Sequence, residues 1–163
     1  MNIRIKKHLL LYRNYKLKCA IGKSRITKSK KEGDLATPKG TFMLGYLYYR
    51  KDRNEFLKCK IKKRIIKKNM GWCNDSKSKK YNQEIRFPFK YNAEKLYRKS
   101  MVYDLFIHIR YNSCPTVKKK GSAIFLHLTN NKFKPTKGCV AILKKDFLKI
   151  LPLINKKTKI SIS

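Results

Sequence analysis

A histidine and a cysteine twelve positions apart, His127 and Cys139, are the residues in this chain best suited to nucleophilic chemistry. A cysteine thiol is mostly protonated at neutral pH, and the thiolate is the form that attacks. An imidazole within hydrogen-bond reach can take that proton and leave a thiolate–imidazolium pair. Gly138 directly precedes Cys139. It tolerates backbone angles that a side chain would forbid, and so can turn N–H groups toward the oxyanion of a tetrahedral intermediate. The backbone N–H groups of Gly138 and Cys139 are the candidate oxyanion donors. The same residue types also fit a structural histidine and a structural cysteine in neighbouring strands, because such local signatures do not transfer between families.

Both residues sit beside short apolar runs. Ala123–Leu126 ends on His127, and Val140–Leu143 begins after Cys139, with a polar loop containing Pro135 between them. Short apolar runs bounded by turn residues read as buried strands. Period-two alternation predicts more strands around Ile3/Ile5, over Tyr15–Ile21 with a turn at Asn14, over Phe56–Ile61 and over Lys159–Ile162. Thr41–Tyr49, rich in β-branched and aromatic residues, and Val102–Arg110 add two longer strands. His108, on the face shared with Phe106 and Asp104, reads as structural. Helices are expected over Asn92–Arg98, with Asn92 as N-cap, and over Lys144–Leu153, ended by Pro152. Met70–Tyr91 reads as a long irregular excursion that folds over the sheet and walls a cleft. Its Trp72 and Tyr81 are candidates for stacking on a substrate, although such aromatics more often pin a loop in place. The fold class is mainly β, a single curved sheet or sandwich with one or two short helices.

The length of 163 residues suits one domain spanning 1–163. Charge is the outlying feature: 43 Lys and Arg against 9 Asp and Glu give +34. That balance favours a polyanion, either nucleic acid or an anionic envelope surface. An AT-rich coding sequence would produce the same abundance of Lys, Ile and Asn. The densest basic run is Lys60, Lys62, Lys63, Arg64, Lys67 and Lys68. No helix-turn-helix, zinc-finger or RNA-binding signature accompanies it, so no specific nucleic acid is predicted. The five cysteines show no C-x-x-C spacing, and neither a metal nor an organic cofactor is expected. Were any disulfide to form, Cys139 should be the thiol left free. The apolar run His8–Tyr12 is too short for a signal peptide core, and no stretch reaches transmembrane length. A monomer is expected.

The stretch HLTNNKFKPTKGCVAI, His127–Ile142, resembles the catalytic stretch of the YkuD-type L,D-transpeptidase family, a histidine followed by a variable loop and Ser/Thr-x-Gly-Cys. Further matches to the compact branch of that family occur in family order. They are Lys31–Asp34 with Ala36–Phe42, Gly71–Asp75, Tyr81–Asn82, Tyr103–Asp104 and Gly121–His127. Lys137 stands where better-known members carry a second histidine, and Ala141 where they carry Arg or Asn. The resemblance implies an L,D-transpeptidase-like β fold and a cysteine acyltransferase acting on peptidoglycan stem peptides in the periplasm or cell envelope. Since no export signal is visible, a cytoplasmic location stays open. Cys139 would be the nucleophile and His127 the base, its ring oriented by a backbone carbonyl near Leu128. Thr136 and Lys137 would line the substrate, Lys137 holding a carboxylate. An L,D-carboxypeptidase, an inactive cell-wall binder and a basic nucleic-acid-binding module are the alternatives.

Overall fold

The computed structural model describes every residue, Met1–Ser163. Alternation builds the first strands as expected. In β1 (Ile3–Lys6), Ile3 and Ile5 are fully buried while Arg4 and Lys6 face solvent. β2 (Leu9–Tyr12) and β3 (Tyr15–Lys18) form a hairpin around Arg13 and Asn14, with Arg13 in the left-handed region at φ 51°. The short parallel pair β4 (Ile26–Thr27) and β5 (Thr37–Pro38) follows, then the ten-residue β6 (Gly40–Tyr49). Next come β7 (Lys63–Ile65), β8 (Met70–Cys73), β9 (Glu84–Arg86) and β10 (Ala93–Lys95). The chain closes with β11 (Leu105–Ile109), β12 (Phe125–Thr129), β13 (Val140–Leu143), α1 (Lys144–Ile150) and β14 (Lys159–Ile162).

The main sheet runs β13-β12-β11-β6-β14-β1-β2-β3, with β7 also paired to β6. Its two ends meet. Just past β3, Ala20 and Ala141 of β13 exchange both backbone hydrogen bonds, at 2.8 and 2.9 Å. The sheet therefore curls back on itself, as the curved-sheet expectation required.

Alternation along the strands sends side chains to two different cores. Leu126, Leu128, Val140 and Ile142 join an aliphatic core with Ile3, Ile5, Leu105 and Ile107. Phe125 points the other way, into an aromatic cluster with Tyr48, Trp72, Tyr103 and Phe106. Tyr48 stacks on Phe106 at 4.6 Å, and Trp72 meets Phe125 edge-on at 5.1 Å. His108 belongs to this aromatic layer, 4.6 Å from the Trp72 ring.

Three local expectations give way to tertiary pairing. Phe56–Ile61 is not a strand. Its alternation is real, since Leu57 and Cys59 are partly buried and Ile61 is buried, but no neighbour pairs with it, and the strand forms later as β7. Met70–Tyr91 is not irregular throughout, because β8 and β9 pair within it. Asn92–Arg98 is not a helix. Its residues form β10, which places Glu94 opposite Trp72 on β8, and sheet pairing overrides the local helical preference. The predicted C-terminal helix is present as α1, followed by a 3-10 turn at Leu151–Leu153.

Candidate active site

Parallel pairing of β12 with β13 sets the site. Leu126 lies opposite Val140 and His127 opposite Ala141. The residue before Val140, Cys139, therefore comes alongside Phe125, on the aromatic side of the sheet that His127 also faces. Two residues along β12 separate the Phe125 row from His127, about 6–7 Å at the usual strand rise. His127 stands in the middle of β12 rather than at its end, so the strand holds the ring from both sides.

The turn before Cys139 is built by its own side chain. Thr136 Oγ1 donates to Cys139 O at 2.6 Å and accepts from Gly138 N at 3.1 Å. Thr136 N also donates to Ile21 O, tying the turn to the segment after β3 that bridges β13 at Ala20. Gly138 sits at φ +136°, and a Cβ there would lie 2.9 Å from Ala36 O. Glycine is required by both the angle and the close approach. The Gly138 N–H is committed to Thr136, so it is not an oxyanion donor; the Cys139 N–H accepts no such constraint and makes no hydrogen bond within the chain. Thr136 is likewise spent on the turn and not turned toward a substrate. Lys137 is exposed in the turn, two residues before Cys139.

The thiol rests against β12. Cys139 Sγ donates to Ala123 O at 3.2 Å and accepts from Phe125 N at 3.3 Å. Ala123 itself is left-handed, at φ 53°. Asn82 holds it there: its Oδ1 accepts from Ala123 N and from Trp72 Nε1, both at 3.0 Å. The Asn82 Nδ2 donates to Tyr111 O and Asn112 O at 3.1 and 2.7 Å. The segment before it is braced as well. Glu32 accepts from Tyr81 Oη and Ser122 Oγ, and Tyr81 Oη accepts from Gly121 N. Asn82 carried no assigned role in the sequence. Its signal was its place beside Tyr81 in a matching motif, which marks a position without revealing four partners.

His127 Nδ1 lies 2.9 Å from Leu128 O. A carbonyl only accepts, so Nδ1 carries the proton and Nε2 is left as the basic nitrogen. The backbone carbonyl expected near Leu128 is therefore in place. The Tyr103 ring packs edge-on against the imidazole at 5.5 Å. Arg98 lies 4.6 Å over that ring, and both Arg98 and Tyr103 Oη hydrogen-bond Glu94 Oε1. This half-exposed Glu94–Arg98 pair covers the site.

Trp72 and Tyr81 do not stack on anything from outside. They are 3 % and 2 % exposed, with Trp72 faces filled by Tyr48, His108 and Phe125 and the Tyr81 hydroxyl used by Glu32 and Gly121. They hold the walls. An open groove lies elsewhere, between Lys51–Asp52 and Ile65–Lys68. Cys139 and His127 retain only 8 % and 7 % exposure as whole residues.

Burial decides the resting protonation states. It pushes the Cys139 thiol up to about 12, with Glu94 adding to the rise, and it lowers His127 to about 4. Desolvation penalises both charges, so the resting pair is a neutral thiol beside a neutral imidazole, not the ion pair expected from the residue types. All five cysteines are free, with Cys114 exposed and Cys139 buried. Brief alkylation with iodoacetamide at pH 8 should therefore modify Cys114 about a hundredfold faster than Cys139, as read by peptide mapping. Equal labelling of the two would contradict the buried, protonated thiol.

The same burial makes the fold acid-sensitive. His127 and His108 are both lowered to about 4 in the folded chain, from 6.5 when unfolded. Between those values the unfolded chain binds more protons, so stability is full above about pH 6.5 and falls as pH drops toward 4. Each histidine contributes on the order of 1–3 kcal/mol over that window. Urea midpoints at pH 7, 5.5 and 4.5 should decline in that order. A flat profile would show that the two rings are solvated.

Searches among curated proteins and among solved structures found no significant match. The family model described as the YkuD L,D-transpeptidase catalytic domain matches residues 2–162, and the chain belongs to that family.

Proposed function

We propose that the protein is a cysteine-dependent L,D-transpeptidase acting on peptidoglycan stem peptides at the cell envelope, with residues 1–163 as one catalytic domain. The observation that carries this reading is the placement of Cys139 and His127 on one face of adjacent parallel strands, with Nδ1 of the imidazole tied to Leu128 O. That tie leaves Nε2 as the basic nitrogen.

The chemistry proceeds by general base catalysis. When a stem peptide binds, the Cys139 thiol leaves Ala123 O and gives its proton to His127 Nε2 as sulfur attacks the carbonyl of the third stem residue. The Cys139 N–H is the backbone donor closest in sequence to the developing oxyanion. The tetrahedral intermediate collapses to a thioester, and His127 returns the proton to the departing amine of the terminal D-amino acid. An amine on a second stem then attacks the thioester, losing a proton to His127 and regenerating the thiol. Water in place of that amine gives carboxypeptidase activity. Lys137, exposed two residues before the nucleophile, would attract the terminal carboxylate of the donor. With Ala141 in the position where other members carry Arg or Asn, Lys30 and Arg98 are the cations whose charge acts on the Cys139 thiol, and Lys137 lies two residues before it in sequence.

Incubation with purified tetrapeptide stems, followed by mass spectrometry of products and protein, tests the proposal. The expected result is release of the terminal D-amino acid, a cross-linked dimer, and a transient acyl mass on the Cys139 peptide. Unchanged stems together with an unmodified protein would overturn it.

A further inference from the structure

One surface lies outside this site and is built unlike the rest. After the 3-10 turn Lys51–Arg53 the chain is anchored by Asn54, whose Nδ2 donates to Arg50 O at 3.0 Å and Asp104 O at 3.1 Å. Arg53 adds an ion pair to Asp104 at 2.8 Å. From that fixed base the next residues alternate. Leu57, Cys59 and Ile61 turn inward against the aliphatic core. Phe56, Lys58, Lys60 and Lys62 are exposed, and Phe56 is 93 % exposed. All of β7, Lys63–Ile65, is exposed as well, with Ile65 at 41 %.

The result is an apolar tip at the head of a cationic row. Residues 51–68 carry nine Lys and Arg but only Asp52 and Glu55 as acids, and Asp52 is paired with Arg50. Beside the row lies an open groove of about 670 Å³, lined by Lys51, Lys67 and Lys68 together with Ile65 and Tyr97; Asp52 and Glu55 also border it. A protruding aromatic costs free energy in water and gains it at an acyl boundary, while lysines gain from an anionic headgroup layer.

We propose that the segment Lys51–Lys68 docks the protein on an anionic phospholipid surface, with Phe56 entering the interface and Lys58, Lys60 and Lys62 contacting headgroup phosphates. The chemistry favours lipid over nucleic acid. An exposed aliphatic residue such as Ile65 gains nothing from stacked bases, and phosphate contacts alone do not call for a projecting phenyl ring. The contact proposed is with the headgroup layer and the acyl boundary; no helix in the chain is long and apolar enough to cross a membrane. The proposal does not rest on acyl transfer: Cys139→Ala should bind vesicles as the unaltered protein does.

Sedimentation of the full chain with vesicles tests it. Binding is expected to phosphatidylcholine vesicles containing phosphatidylglycerol, and not to pure phosphatidylcholine. Phe56→Ala should weaken partitioning about tenfold, and the triple change Lys58→Gln, Lys60→Gln, Lys62→Gln about a hundredfold. Because these side chains are exposed, circular dichroism should be unchanged. In Phe56→Trp, brominated lipid should quench the new emission. The only native tryptophan, Trp72, is 3 % exposed and serves as the unquenched control. No binding to anionic vesicles at low salt, or partitioning of Phe56→Ala equal to that of the unaltered chain, would overturn the proposal. Tight binding of duplex DNA without vesicle binding would overturn it in favour of nucleic acid.

Discussion

Cys139→Ala is expected to abolish both the acyl adduct and the turnover of stem peptides, a loss of more than about 10⁴-fold. The substitution removes only a sulfur that bonds Ala123 O and Phe125 N, so the fold should survive. A carbapenem, which cysteines of this family open, should add its mass to the unaltered protein at Cys139 and add nothing to the alanine variant. His127→Ala should lower kcat by about 10²–10⁴. It leaves the sulfur in place, but without the base proposed to take its proton. Wild-type turnover in either variant would remove these two residues from the mechanism.

The pH profile separates this arrangement from a preformed ion pair. Burial holds His127 near 4, and in the proposed mechanism the neutral ring is the form that accepts the thiol proton. The acid limb of kcat/KM should therefore lie near pH 4, well below the ordinary imidazole range, with activity falling as pH drops through it. An acid limb near pH 6.5 would show that the imidazole is solvated in the working enzyme. At the lowest pH values the fold is itself losing stability, so rates must be normalised to the folded fraction.

The largest expected effect on stability comes from Asn82. The side chain is 3 % exposed and makes four hydrogen bonds, its full capacity. The residue also sits at φ 57°, a region that asparagine tolerates better than most side chains. Asn82→Leu would orphan the buried Trp72 indole N–H, together with the part-buried Ala123 N–H and two part-buried carbonyls. The expected cost is roughly 3–5 kcal/mol, a fall in Tm on the order of 10 °C. Trp72→Phe removes one of those bonds and should cost clearly less than Asn82→Leu. Comparable Tm values for Asn82→Leu and the unaltered chain would mean that solvent reaches Asn82. Because Asn82 fixes the Ala123 carbonyl that receives the thiol, the leucine variant should also lose kcat in the fraction that stays folded.

Much of the β architecture follows directly from residue order. Ile3 and Ile5 alternate with charged residues, and burial of one face is the only arrangement that satisfies both. The runs around His127 and Cys139 are apolar, and they became neighbouring strands. The turn between them was marked by Thr136 and Gly138, whose chemistry is local: a hydroxyl that bonds its own backbone and a glycine at positive φ. Belonging to the family was legible too, because it rests on residue order alone.

Other features depended on partners far away in sequence. Ala93–Lys95 is a strand because β8 offers an edge, and nothing within Asn92–Arg98 announces that edge. Trp72 and Tyr81 carry aromatic rings suited to binding, yet Tyr48, Phe125 and Glu32, all distant in sequence, occupy them. The Gly138 N–H was available on paper and is taken by Thr136. Most consequential is protonation. Side-chain type sets the ordinary ionisation of a thiol and an imidazole, but desolvation by the surrounding aromatic layer moves them to about 12 and about 4. The sequence by itself determined which atoms are the candidates for chemistry and which strands carry them. Only the tertiary structure decided their charge and their access, because both depend on how much water the packed neighbours exclude.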